Sequence, residues 1–238
     1  MNTTYDFTTN YSAADAIPAE RAAFIRKTFL HVAGALGVFV LIETYLIASG
    51  RGEAIARTML GGRWSWLIVL GLFMGVSMLA NWWANSQTSK GMQYLGLTLY
   101  VVAEAIIFLP LLFIASSMSG GGAMIAQAGI VTLGLFLGLT ATVFLTKKDF
   151  SFLGPILAIG GFVALGFIFS GIVFGFGLGS IFSFVMVAFA GAAILYNTSN
   201  ILHHYRTDQH VAASLTLFAS VALLFWYILQ IFMGGSRD

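Results

Sequence analysis

Two acidic residues of this chain, Glu43 and Glu104, lie within long apolar stretches that contain no lysine or arginine to pair with them. A charged residue at the centre of a membrane helix costs about 2.5–3.5 kcal/mol even on lenient scales, so such acids face the protein interior and mark ion or proton paths. Glu104 therefore predicts either a protonatable, cation-binding group or a neutral carboxyl group that hydrogen-bonds a neighbouring helix. Glu43 lies nearer the end of its stretch, where a side chain reaches water more easily.

A second group of polar side chains closes the sixth apolar stretch. Asn197, Asn200 and His204 recur at spacings i, i+3 and i+7, which places them on one helix face. His203 and His204 are adjacent, so they point about 100° apart and lack the i, i+4 spacing with which two imidazoles hold one metal ion. A metal site that includes His210 is the weaker alternative. A solvated patch at the membrane interface is the favoured interpretation, and no metal ligand is predicted.

The composition predicts that a bilayer surrounds these residues. Of the 238 residues, 59% are hydrophobic and 8% are charged, against about 25% charged in a soluble domain. The basic residues are scattered, so nucleic acid is not an expected partner. Cysteine is absent, which excludes disulfides and thiolate metal sites. No nucleotide-binding loop, metalloprotease histidine pair or nucleophile elbow occurs, so we expect no enzyme, no catalytic residue and no cofactor.

Seven apolar stretches are long enough to cross a hydrocarbon core, which needs about 20 residues per helix. The sequence therefore predicts an all-α, polytopic membrane protein that folds as a seven-transmembrane-helix bundle. We expect a polar cytoplasmic leader at 1–27, a single membrane domain at 28–234 and a short tail at 235–238. A short helix on the membrane surface is predicted in the first loop, around residues 54–60. The predicted spans are 28–49, 65–83, 94–117, 123–145, 152–174, 178–202 and 211–233.

The distribution of basic residues predicts the orientation, because lysine and arginine are enriched on the cytoplasmic side. The leader and the even-numbered loops hold more of them than the odd-numbered loops and the tail. We therefore expect a cytoplasmic amino terminus and an external carboxyl terminus. The first set comprises Arg21, Arg26, Lys27, Lys90, Lys147, Lys148 and Arg206, and the second comprises Arg51, Arg57, Arg63 and Arg237.

Glycine pairs at i, i+4 spacing predict close helix packing, since each pair lies on one helix face. The favoured interpretation is packing between helices. For the run from Gly171 to Gly179, the alternative is a flexible helix end that permits motion. The pairs are Gly71 with Gly75, Gly134 with Gly138, Gly171 with Gly175, and Gly175 with Gly179.

Several segments, in order and spacing, resemble the Bax inhibitor family, the transmembrane Bax-inhibitor-motif proteins. The similarity covers nearly the whole chain after residue 28, and it is closest to bacterial-type members, which implies a bacterial inner membrane. The segments that carry it are 29–34, Tyr100 with Glu104 and Pro110, 134–154, 194–198, 212–215 and 229–232.

The resemblance implies a seven-helix fold and a pH-sensitive calcium leak, controlled by two aspartates in the last two helices and an arginine in the second. This chain departs from that pattern. Asn197 stands at the position of the first aspartate, and the second position falls near Ser220. No basic residue lies between Trp82 and Asn85, where the arginine is expected. An amide and a hydroxyl cannot share a proton as two carboxyl groups do, so we expect the pH latch to be absent.

Two hypotheses about function follow. The first is a leak for a small cation, calcium or protons, along a path past Glu104, Asn197, Asn200 and Ser220, with Glu43 as a further acid. Calcium prefers six to eight oxygen ligands, so separated acids with neutral oxygens would bind it weakly, as a leak requires. The second hypothesis is a non-conducting regulator that binds other membrane proteins through its glycine faces.

Overall fold

The bundle consists of helices throughout the part of the chain that the structure describes. This computed structural model describes residues 12–86 and 89–235, except for the side chain of Arg63. Seven of its helices are long and apolar enough to cross a membrane, so the predicted all-α seven-span bundle is confirmed and the chain is a multi-pass integral membrane protein. The helices are α1 (Pro18–Ala48), α2 (Arg51–Met59), α3 (Arg63–Ala84), α4 (Lys90–Ser117), α5 (Gly121–Thr146), α6 (Leu153–Phe174), α7 (Gly179–His203) and α8 (His210–Gly235).

The first helix begins ten residues before the predicted start of its span. Pro18 occupies the first helical turn together with Glu20, and both residue types favour that position. At 1.5 Å per residue, a helix of 31 residues is about 46 Å long, against a hydrocarbon core of about 30 Å. The polar residues after Pro18 therefore extend the helix beyond the core. Residues 1–11 of the predicted leader, and Arg237 with most of the predicted tail, lie outside the described residues.

The short helix predicted in the first loop is present as α2. Its buried side, formed by Gly52, Ala56 and Met59, packs against the bundle. Gly52 lies so close to α4 that a Cβ atom there would be 3.0 Å from Cδ1 of Leu109. This helix therefore covers the end of α4.

The centre of the bundle is formed by α4 and α8, whose apolar windows are far more buried than those of the other five spans. Phe108 of α4 packs edge-on against Phe39 of α1 at 5.1 Å between ring centroids and against Trp226 of α8 at 4.8 Å. Tyr100, two turns earlier on α4, packs edge-on against Phe218 of α8 at 6.1 Å. Such rings contribute both buried area and edge-to-face attraction.

Only one glycine in the α3–α4 interface permits a close approach of two helices. A Cβ atom on Gly96 of α4 would lie 2.5 Å from the carbonyl oxygen of Ala80 and 2.6 Å from the backbone nitrogen of Ala84, both on α3. By contrast, a Cβ atom on Gly134 or Gly138 would have no neighbour within 4 Å outside its own helix among the described residues. The same holds at Gly71 and Gly75. The interpretation of these two pairs as packing contacts within the chain is therefore wrong.

The remaining glycine pairs belong to a turn. Gly175 ends α6 with φ +75°, and Gly179 begins α7 with φ +70°. Glycine adopts positive φ without a steric penalty, so these residues reverse the chain. Gly171 is buried against the carbonyl oxygen of Phe176. The prediction that Gly171, Gly175 and Gly179 share one helix face is wrong, because α6 ends at Phe174.

The alternating helices define two faces of the bundle. We call the basic face the one that carries the start of α1 and the loops with Lys90, Lys147, Lys148 and Arg206; the opposite face carries α2. Two contacts tie the basic face together. The backbone N–H of Ala13 donates to the carbonyl of Tyr205 at 2.7 Å, and the backbone N–H of Phe150 donates to the hydroxyl of Ser199 at 2.8 Å.

Candidate functional site

Glu104 lies half-way along α4 and is 6% exposed. It stands one helical turn after Tyr100, so the two side chains share a helix face. The side chains of Tyr100 and Glu104 are close neighbours. One carboxyl oxygen of Glu104, Oε2, has no hydrogen-bond partner among the described residues. Because a buried polar atom without a partner is costly, this oxygen is the natural point of contact for a proton, a cation or a ligand.

A cavity of about 880 Å³ adjoins Glu104. We call it the α3–α6 cavity, since these two helices form its sides while α4 and α8 form its back. It extends from Glu104 toward the face opposite the basic face, as far as Trp66 near the start of α3 and Gln230 near the end of α8. Apart from Glu104 and a few other polar groups, its walls are aromatic and aliphatic. The buried carboxyl group therefore stands at the inner end of an apolar chamber.

The structure brings together Asn197 and Ser220 from α7 and α8. Nδ2 of Asn197 donates to Oγ of Ser220 at 2.8 Å, and that hydroxyl in turn donates to the carbonyl of Thr216 at 2.9 Å. Ser220 is 5% exposed. The two positions singled out by the resemblance are therefore in direct contact, as a neutral hydrogen-bonded pair.

The other predicted path residues are placed apart from this pair. Asn200 is half-buried one turn closer to the basic face, and its carbonyl accepts the backbone N–H groups of His204 and Tyr205 at the end of α7. Glu43 of α1 is 4% exposed, and neither of its oxygens has a partner among the described residues. Glu43 does not belong to the wall of the α3–α6 cavity.

The histidines form two groups. His203 and His204 lie 6.3 Å apart between ring centroids. His210, at the start of α8, is instead 5.1 Å from the ring of His31 on α1, and its Nε2 lies 3.2 Å from the hydroxyl of Tyr94 on α4. His210 is close to His203 and His204 in the sequence, but in the structure its ring packs against residues of α1 and α4 instead. Within the described residues, no three histidine, aspartate or glutamate side chains are placed to hold a metal ion.

Sequence reasoning missed Asp149, in the loop between α5 and α6. Oδ1 of Asp149 accepts the backbone N–H of Ser151 at 2.8 Å and the hydroxyl of Ser199 at 3.2 Å. These bonds, the Ser151 backbone first, hold the pKa of Asp149 below its usual value. The loop is thereby fixed to α7. An aspartate two residues before a serine is a local signal for such a turn, but the contact with Ser199 has no signal in the sequence.

The side chains at the site can bind a proton or a small polar species. Glu104 offers one carboxyl oxygen that can accept or release a proton, or contact a weakly bound cation. Asn197 and Ser220 offer neutral oxygens and N–H groups. Together these groups favour weak, reversible contact with a small species over covalent chemistry.

Comparisons with known proteins give the chain its family. The family described as inhibitor of apoptosis-promoting Bax1 matches residues 21–238. An uncharacterized protein of Pseudomonas aeruginosa is 33% identical over 168 residues, which are 70% of this chain and 71% of that protein. No solved structure matches the chain.

Two further relatives match over about half of the chain. Bax inhibitor 1 of Schizosaccharomyces pombe is 38% identical over 116 residues, 45% of this chain and 41% of that protein. The modulator of FtsH protease YccA of Escherichia coli is 35% identical over 121 residues, 50% of this chain and 55% of that protein. The chain thus spans about half the length of these two relatives. Because the family match covers nearly the whole chain, this protein belongs to the family of inhibitors of apoptosis-promoting Bax1.

Proposed function

We propose that this protein is a slow leak for a small cation, calcium or protons, with Glu104 as the acidic group on the path. The observation that carries the proposal is the buried carboxyl group of Glu104, a residue that lines a cavity and whose Oε2 has no hydrogen-bond partner among the described residues. An intramembrane acid without a basic partner is typical of ion and proton paths.

The proposed path continues from Glu104 toward the basic face past Asn197, Ser220 and Asn200. The part of the path near the basic face offers neutral oxygens, and the α3–α6 cavity on the other side of Glu104 has apolar walls. Both features favour slow passage of a cation. Calcium prefers several oxygen ligands, so one carboxyl group with neutral neighbours holds it weakly. Apolar constrictions also oppose ion passage by excluding water.

Flux into liposomes that contain the purified protein tests the proposal. Glu104→Gln keeps the size of the side chain but removes its ability to carry a charge. We expect this variant to lose most of the flux while it still inserts and folds. Glu43→Gln is the matched comparison, because Glu43 is equally buried but lies outside the cavity wall. Equal flux in Glu104→Gln and the unmodified protein would contradict the proposed path.

A non-conducting regulator of membrane proteins is the second candidate. One relative is named as a modulator of the FtsH protease. On α5, Gly134 and Gly138 are exposed, and a Cβ atom at either position would meet no neighbouring helix within 4 Å among the described residues. Small residues on lipid-facing helices allow close approach of another helix. Absence of flux from the unmodified protein, together with a specific membrane partner lost on Gly134→Leu, would favour this function.

The proposed location is a bacterial inner membrane with the basic face in the cytoplasm. The excess of lysine and arginine on the basic face supports it. Reporter fusions after Lys148 should then be active in the cytoplasm, and fusions after Arg237 should be active outside. Both fusions reporting from one side would overturn the orientation.

A further inference from the structure

The size and shape of the α3–α6 cavity are those of a small-molecule site. Its volume of about 880 Å³ lies within the range of about 300–1,000 Å³ that is usual for ligand pockets. At its rim, Met74 of α3 is 48% exposed and Phe169 of α6 is 58% exposed, both on the apolar outer surface of the bundle. The rim of the cavity between α3 and α6 therefore lies on the outer surface of the bundle, where the hydrocarbon of a bilayer would meet it.

The walls of the cavity are rich in aromatic rings. Eight of its 22 lining residues are phenylalanine, tyrosine or tryptophan. Among them, Trp66, Phe108 and Trp226 belong to three different helices, so rings approach an occupant from several sides. Aromatic side chains pack favourably against other rings in offset or edge-on geometries. The cavity is therefore better suited to a flat ring than to a flexible alkyl chain alone.

The polar group at the inner end of the cavity specifies one more feature of the occupant. Oε2 of Glu104 has no hydrogen-bond partner among the described residues, and the side chain is more than nine-tenths buried. A hydroxyl group suits both states of the carboxyl group, since it donates to a carboxylate and accepts from a carboxylic acid. A hydrocarbon without such a group leaves the oxygen unpaired, at a cost in binding free energy.

We propose that the α3–α6 cavity binds a lipophilic phenol, a bilayer-soluble molecule with an aromatic ring and a ring hydroxyl group that bonds to Glu104. The apolar part of the molecule lies among the aromatic side chains and extends toward the rim. Binding of this kind does not require conduction. Failure of the leak proposal therefore leaves this proposal intact, and the reverse is also true.

Quenching of tryptophan fluorescence measures occupancy directly, because Trp66 and Trp226 line the cavity. The protein is reconstituted in nanodiscs and titrated with a brominated hexylphenol, and in parallel with the corresponding brominated hexylbenzene. Tryptophans on the outer surface, such as Trp64 and Trp82, give a quenching component that rises with the probe in the lipid without saturating. A combined Trp66→Phe and Trp226→Phe variant identifies the saturable component that belongs to the cavity.

We expect saturable quenching, with the phenol bound about three- to tenfold more tightly than the hydrocarbon, as one net hydrogen bond provides. Equal affinity for the two probes, or the absence of a saturable component, would overturn the proposal. Glu104→Leu should reduce the affinity for the phenol to that for the hydrocarbon. If this variant fails to fold, the comparison of the two probes on the unmodified protein still decides the role of the hydroxyl group.

A pair of glycine variants locates the site. Gly71 lines the cavity, and a Cβ atom there would meet no atom of a neighbouring helix within 4 Å among the described residues, so Gly71→Leu adds to the wall a side chain whose Cβ has room. Gly75 lies one turn away on α3, is equally open and is not part of the wall. We expect Gly71→Leu to abolish saturable quenching and Gly75→Leu to preserve it. Equal quenching in the two variants would show that the probe binds elsewhere.

Discussion

Nδ2 of Asn197 on α7 lies 2.8 Å from Oγ of Ser220 on α8, so a neutral hydrogen bond joins the last two helices. In the family that the sequence resembles, two aspartates are expected at these positions. The contact between the positions is thus present in this chain, while the acidic groups are replaced by an amide and a hydroxyl. The pair can hold α7 and α8 together, but it cannot gain or lose a proton near neutral pH.

The strength of this bond can be measured with a double-mutant cycle. Asn197→Ala, Ser220→Ala and the double variant should give a coupling energy of about 0.6 kcal/mol and at most about 1.7 kcal/mol, the average and the maximum found for hydrogen bonds between membrane helices. Reversible unfolding in mixed micelles supplies the four free energies, those of the unmodified protein and of the three variants. Asn197→Ala combined with Ser116→Ala is the control, because Ser116 lies at the opposite face and its hydroxyl donates to the carbonyl of Phe113 within α4. The control pair should be additive, and additivity at Asn197 and Ser220 would contradict the bond.

The same pair predicts how flux depends on pH. Since neither side chain titrates, flux through the unmodified protein should vary little between about pH 6 and 8, unless Glu104 or an interfacial histidine titrates in that range. Replacing Asn197 and Ser220 together by Asp should introduce a pH dependence, because two adjacent carboxyl groups compete for one proton. The measurement is liposome flux against pH for both proteins. A steep dependence in the unmodified protein that survives Glu104→Gln and removal of His203, His204 and His210 would contradict this reasoning.

The seven spans could be predicted from the sequence because the hydrocarbon core imposes a long apolar run on each helix. The predicted start of the last span, Val211, lies one residue from the observed start of α8 at His210. The start of α1 could not be predicted in this way, because the first turns of the helix consist of polar residues. Hydropathy alone does not distinguish such residues from a loop. The contact between Asn197 and Ser220 could be inferred only from the resemblance to a family.

The packing of side chains between helices could not be predicted in this way. Spacing at i, i+4 says which residues share a face, but not whether another helix covers that face. Gly134 and Gly138 share an exposed face, whereas Gly96, which has no glycine one turn away, forms the close contact with α3. The residues that line the cavity beside Glu104 come from α3, α6, α7 and α8 as well as from α4 itself. No local sequence pattern shows that these helices adjoin.

The contact at Gly96 predicts a large cost for a small change. Gly96→Ala places a methyl group 2.5 Å from the carbonyl oxygen of Ala80, so α3 and α4 must separate. We expect a loss of about 1–3 kcal/mol in the free energy of unfolding, as for other overpacked sites. Gly134→Ala is the matched control, since the added methyl group has no neighbour within 4 Å outside its own helix among the described residues. Alanine stabilises a helix by about 0.5–1 kcal/mol relative to glycine, so this control should not lose stability. Equal stabilities for the two variants would show that α3 and α4 do not pack closely at Gly96.

The final prediction concerns Asp149, which lies outside the membrane-spanning helices and fixes the α5–α6 loop to α7. The backbone N–H of Ser151 and the hydroxyl of Ser199 lower its pKa in the folded protein. A carboxyl group with a lowered pKa contributes stability above its unfolded pKa of about 3.9, and this contribution is lost as the pH falls through the folded value. Asp149→Asn should therefore be less stable than the unmodified protein at pH 7.

The difference between these two proteins should shrink as the pH falls from about 5 to about 2, because protonation removes the same interaction from the unmodified protein. Unfolding in mixed micelles at several pH values measures it. Ser199→Ala is the control, since it removes one donor to Asp149 but keeps the Ser151 backbone bond. That variant should retain part of the acid-dependent loss. A difference between Asp149→Asn and the unmodified protein that stays constant over this pH range would show that the carboxylate charge of Asp149 does not stabilise the loop.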